Sequence, residues 1–129
     1  MQRDIIVAAR DGNLQAVTIQ LNAGANPDGT IGDTAYTPLY LATSNSHLAI
    51  METLLNAGAT TNIATNGGMW TPLHIAAYNG DVAAVSLLLR RNATASCANL
   101  QGNTPLDIAI DEGHAAIVDL LTAPAQSKG

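Results

Sequence analysis

Apolar residues gather along this chain in short runs separated by Gly, Asn and Thr. The run Val82-Ala83-Ala84-Val85-Ser86-Leu87-Leu88-Leu89 is long enough for a short buried helix. Ahead of three such runs stands Thr-Pro-Leu, at Thr37-Pro38-Leu39, Thr71-Pro72-Leu73 and Thr104-Pro105-Leu106. Each predicts a first helix: the Thr hydroxyl caps a free backbone N–H, and Pro at the first helical position has no N–H to leave unpaired. Gly12, Gly80 and Gly113, with Ser46 in the equivalent place, predict where these first helices stop. Gly24, Gly58 and Asn92 predict the stops of the apolar second helices, because Gly and Asn enter the left-handed region most readily. The Asn-, Gly- and Thr-rich stretch Ile63 to Trp70 predicts a hairpin-like excursion between helix pairs.

These landmarks repeat. The three Thr-Pro-Leu triplets are 34 and 33 residues apart; Ala42, Ala76 and Ala109 follow the Thr by five residues, and Ser46, Gly80 and Gly113 by nine. One period back from Thr37 lies Arg3, with Ala8, Gly12, Leu14 and Val17 in register. Four units follow, at about 3–36, 37–70, 71–103 and 104–123, forming one domain over 1–123 with a short flexible tail at 124–129. No linker or second domain is expected. The ends read as capped: Gln20 replaces the Leu54 and Leu88 of inner units, and Thr122 replaces Leu21, Leu55 and Leu89, so the array is expected to be complete at four units.

The pattern resembles the ankyrin repeat family. The residues that carry the resemblance are Thr71-Pro72-Leu73-His74-Ile75-Ala76-Ala77 followed by Gly80, together with endings of the Ala57-Gly58-Ala59 type, at the family's period. The resemblance extends over nearly the whole chain. It implies an all-α repeat solenoid of four helix–turn–helix–hairpin units stacked in a short curved array. The first unit departs from it, with Arg3-Asp4-Ile5 in place of Thr-Pro-Leu. The first two connecting segments are also one residue longer than the third, which leaves the register of Gly67, Gly68 and Met69 open by one.

Composition narrows the function. The 129 residues are 47% hydrophobic, enough for a packed core, and only 12% charged. Five basic against ten acidic residues, a formal charge of −5, argue against sequence-independent phosphate binding, so no nucleic-acid partner is expected. A single cysteine, Cys97, excludes an intrachain disulfide framework. Nothing approaches the ~18 consecutive apolar residues of a membrane span. Met1-Gln2-Arg3-Asp4 opens no secretory signal, so a cytoplasmic protein is expected, with export lacking a cleavable signal left open.

Candidate chemistry is sparse. His47, His74 and His114 have no i, i+4 partner, and Cys97 has none nearby, so no metal site is expected. Family resemblance implies that His74 hydrogen-bonds neighbouring backbone; His47 and His114 both follow the inter-helix Gly or Ser. No nucleophile elbow is present, and Gly29 and Gly32 do not make a phosphate loop. Arg90-Arg91 suits a helix C-terminus. Neither a cofactor nor an enzymatic activity is expected.

The aromatic residues point elsewhere. There is no Phe, and Tyr36, Tyr40, Trp70 and Tyr78 all avoid the second helices. Tyr36 and Trp70 both precede the Thr of a unit, and Tyr78 lies seven residues after Thr71. The resemblance implies that such positions project from hairpin tips and the concave helix face, where partners bind. Large aromatics there suit an interface hot spot, although they could instead shield the hairpin bases. Carried over unit by unit, the candidate surface is Arg10 and Asp11 in the first unit, Asp33, Thr34, Tyr36, Ser44 and Asn45 in the second, and Met69, Trp70, Tyr78 and Asn79 in the third. The last unit adds Leu100, Gln101, Asn103, Asp111 and Glu112. An aromatic centre with a polar, acidic rim has the layout of a protein interface. The expected function is a non-enzymatic, monomeric module that binds an unidentified protein. Self-association through Trp70 and an effector acting on host proteins are the alternatives.

Overall fold

In the computed structural model, residues 2–30 and 36–122 are described. They form eight helices in four antiparallel pairs: α1 Gln2–Asp11 with α2 Leu14–Asn22, α3 Pro38–Ser44 with α4 Leu48–Asn56, α5 Pro72–Asn79 with α6 Val82–Arg90, and α7 Pro105–Glu112 with α8 Ala115–Thr122. The Thr-Pro signals act as expected. The hydroxyls of Thr37, Thr71 and Thr104 accept the N–H of Tyr40, His74 and Asp107 at 3.1, 3.4 and 3.2 Å. At Thr71 and Thr104 the third residue also returns a side chain to the cap N–H, closing a capping box. Ser46 and Asn92 take positive φ (61° and 69°) at the predicted stops, beside the glycines.

The pairs stack in chain order into an all-α repeat solenoid. First helices form one layer, α1 against α3, α3 against α5 and α5 against α7; second helices form another, α2 to α4 to α6 to α8. Between the layers lies an aliphatic core in which Ile5, Leu39, Met51, Leu54, Leu73, Val85, Leu88 and Ile117 are at most 1% exposed. Burying each such side chain is worth about 1.5–3 kcal/mol, more than the short helices gain from propensity alone.

A second set of bonds runs along the stack. Asp28 accepts both the N–H and the hydroxyl of Thr60 at 2.7 Å, and one unit later Asn62 Oδ1 accepts the N–H of Thr94 at 2.9 Å. The predicted excursion at 63–70 is a tight hairpin, closed by the Thr65 N–H to Trp70 carbonyl bond at 2.9 Å; no strand forms among the described residues. At the N-terminal end Gln20 joins Asp4, Asp11 and Asn13 around a shallow hollow whose other lining residues, Val7, Ala8 and Ala16, are apolar. Thr122 is exposed at the other end, as expected, but Ile110 of the same last unit is also 57% exposed.

Candidate functional site

Tyr36 enters from the segment before α3, and Trp70 from the equivalent place before α5. Tyr40 projects from the first turn of α3 and Tyr78 from the last turn of α5. With Thr65, Gly68 and Ile75 they line one open hollow of about 330 Å³ on the first-helix side of the stack. Tyr36 and Tyr40 stack with ring centres 5.5 Å apart and planes 23° from parallel. Trp70 meets the edge or face of Tyr78 at 5.9 Å and 77°. Both are favoured arrangements of ring quadrupoles. Burial pushes the Tyr40 hydroxyl up to about 12, helped by the neighbouring Tyr36, so this phenol stays neutral at any ordinary pH.

Three of the expected centre residues, Tyr36, Trp70 and Tyr78, are thus brought together, and Tyr36 and Tyr78 are 44% and 46% exposed. Trp70 is different from a residue projecting freely at a hairpin tip. It is half-buried, packs against the aliphatic core and lies 5.8 Å from the ring of His74. Met69 beside it is 47% exposed with φ +57°, the conformation held by Gly102 in the next hairpin. That equivalence settles the register. It also shows a bulky residue kept in a region that costs an L-residue about 1–2 kcal/mol.

The remaining candidates surround the hollow or lie beyond it. The Asn45 amide donates to the carbonyls of Arg10 and Leu41 at 3.1 and 3.3 Å, and the Asn79 amide to that of half-buried Ser44 at 2.9 Å, so both side chains also join neighbouring units. Leu100 is 67% exposed, while its N–H donates to the Gly68 carbonyl at 2.8 Å, tying one hairpin to the next. Gln101 is exposed and Asn103 half-buried; Asp111 and Glu112 are exposed at the end of α7, and none of these lines the hollow. Arg10 and Asp11 pair at 2.9 Å on the open surface. Asp33 and Thr34 lie outside the described residues.

Sequence reasoning missed Tyr40, Thr65, Gly68 and Ile75 as lining residues. Tyr40 carried a signal: it stands one period before His74, where it replaces the motif's histidine. That histidine is fully buried. The Thr71 N–H donates to its Nδ1 at 3.1 Å and its Nε2 faces the Asn103 carbonyl at 2.9 Å, which fits the neutral tautomer protonated at Nε2. Burial holds its pKa below the ordinary 6.5, against a smaller upward pull from the Asn103 and Cys97 backbone. His47 and His114 likewise point Nε2 at backbone, the Arg10 and Tyr78 carbonyls, at 3.1 and 3.0 Å.

Among the described residues, no three His, Cys, Asp or Glu side chains gather where they could hold a metal ion, and no helix is long and apolar enough to cross a membrane. Compared with known families, the chain matches the model for ankyrin repeats (3 copies) over residues 58–128 and that for a single ankyrin repeat over residues 35–66. Comparison with curated proteins finds no match.

Proposed function

The chain belongs to the ankyrin repeat family, whose repeats are in general protein–protein interaction modules, and on that premise we propose that it docks a protein partner on the aromatic hollow. The observation that carries this reading is the convergence of Tyr36, Tyr40, Trp70 and Tyr78 on one accessible hollow. Aromatic side chains offer large contact area for few rotamers lost, which is what hot spots use. Exposed Met69 and Leu100 extend the apolar surface, and we read Ser44, Asn45, Asn79, Gln101, Asn103, Asp111 and Glu112 as its polar rim. In this reading one repeat domain over 1–123 acts as a non-enzymatic monomer, with neither cofactor nor metal.

The test uses affinity capture from lysate of the source organism, followed by affinity measurement on the captured partner. Tyr36→Ala and Tyr78→Ala should each weaken binding by ~2 kcal/mol or more, with the fold intact because both side chains are well exposed. Arg90→Ala and Glu52→Ala, on the exposed sides of α6 and α4, should change nothing. Trp70→Ala is the poorer probe, because the half-buried ring supports the core as well. A partner whose affinity survives both tyrosine substitutions would place the interface elsewhere.

A further inference from the structure

The hollow holds every aromatic side chain of the chain: one Trp, three Tyr and no Phe. The rest of its lining is Thr65, Gly68 and Ile75, so among the described residues a single aliphatic side chain and no charged one faces it. A pocket built for a leucine or phenylalanine anchor would use the Leu, Val and Ile that the chain spends on its core. Here four aromatic rings line it instead, and the face of such a ring carries the negative end of the aromatic quadrupole.

The charge pattern points the same way. No Lys or Arg occurs between Arg10 and Arg90, the stretch that contributes every residue of the hollow, and the chain as a whole carries −5. A cation arriving there meets no Lys or Arg among the described lining residues and is drawn in by the overall field. Among the described residues no carboxylate lines the hollow, so the rings are the groups on hand to recognise the guest. We propose that the hollow receives a cationic side chain of the partner protein, the guanidinium of an arginine or the ammonium of a lysine, held over the faces of Trp70, Tyr78 and Tyr36. This rests on the reading of the hollow as the docking surface and names the chemistry that enters it.

Trp70, the only tryptophan, reports occupancy through its emission. The intact chain is titrated with blocked pentapeptides that differ only at the central residue: arginine, lysine, citrulline or norleucine. The expected result is a saturable change with a cationic peptide, half-saturating at a concentration about fivefold or more below either neutral one. Whichever of arginine and lysine saturates first identifies the guest. Tyr36→Leu and Tyr78→Leu keep apolar bulk but remove a ring face, and should bring the cationic and neutral peptides to equal response while thermal melts stay unchanged. Equal response in the native chain, or none to any peptide, would overturn the cation assignment. Neither result bears on the docking surface itself, whose failure would appear separately as a captured partner indifferent to Tyr36→Ala and Tyr78→Ala.

Discussion

The junctions at the two ends of the stack are built differently from the one in the middle. Between the first and second units, and again between the third and fourth, a histidine at the entrance of the second helix reaches back over a bare glycine. A β-carbon placed on Gly12 would lie 2.7 Å from His47 Cε1, and one on Gly80 would lie 2.7 Å from His114 Cε1. Each imidazole then meets a carbonyl at the end of the preceding unit's first helix. In the middle junction the pair is Ser46 and Asp81. Asp81 Oδ1 accepts the Ala84 N–H of its own helix at 3.2 Å, and of the end-junction bonds only an amide, from Asn79 to Ser44, has an equivalent. A carboxylate only accepts, so it cannot pair with a carbonyl, and it is attracted to the positive end of its own helix. A glycine is then not needed opposite. The aromatic hollow opens at this same middle junction, between Tyr36 and Tyr40 of one unit and Trp70, Ile75 and Tyr78 of the next.

The largest effect should come from the floor common to all junctions. Leu88→Ala removes a fully buried side chain and should cost ~2–5 kcal/mol in denaturant melts. A loss under about half a kcal/mol would place Leu88 outside the packed core. Next come the end junctions. Gly80→Ala adds a methyl against the His114 ring at φ +71° and should cost about 1–3 kcal/mol. Part of that cost should vanish in the Gly80→Ala, His114→Ala double variant, where the ring no longer opposes the methyl. Additive single costs in a double-mutant cycle would mean that the glycine serves its own backbone alone.

The middle junction should respond with the opposite sign. Ser46→Gly relieves a non-glycine residue at φ +61° and should raise stability by about 0.5–1 kcal/mol, read as a higher melting temperature. A loss would show that the Ser46 side chain stabilises the turn. The smallest effect concerns His74, below Trp70. Its folded-state pKa lies below the unfolded value, so the fold favours the neutral ring. Stability should therefore be level above the unfolded pKa of about 6.5 and decline as pH falls from there toward the depressed value. His74→Gln should flatten that decline, and an unchanged pH profile would assign it to other groups.

The repeat, its helix starts and its stops were legible because each is decided by residues within one turn of one another. Thr37, Thr71 and Thr104 reach N–H groups three residues on, and Gly, Ser46 and Asn92 answer a local need for positive φ. Register together with the family resemblance placed Tyr36, Trp70 and Tyr78 on one side of the array. The companions of those residues were not legible. Tyr40 reads locally as a substituted motif histidine, and Ile75 as one more core position.

What the sequence by itself determined is therefore the unit: two capped helices and a hairpin, written in contacts of short range and repeated at a fixed period. What only the tertiary structure decided is how units meet. His47 finds Arg10, His114 finds Tyr78, and Asp28 finds Thr60 across 32 to 37 residues of chain. Those distances depend on how far one helix pair rotates and slides on the next, which is set by the packing of the whole aliphatic core. The same packing turns Trp70 inward onto His74 and leaves Tyr78 outside, and so makes one hollow from two pairs of rings, Tyr36 with Tyr40 and Trp70 with Tyr78, that belong to different units of the chain.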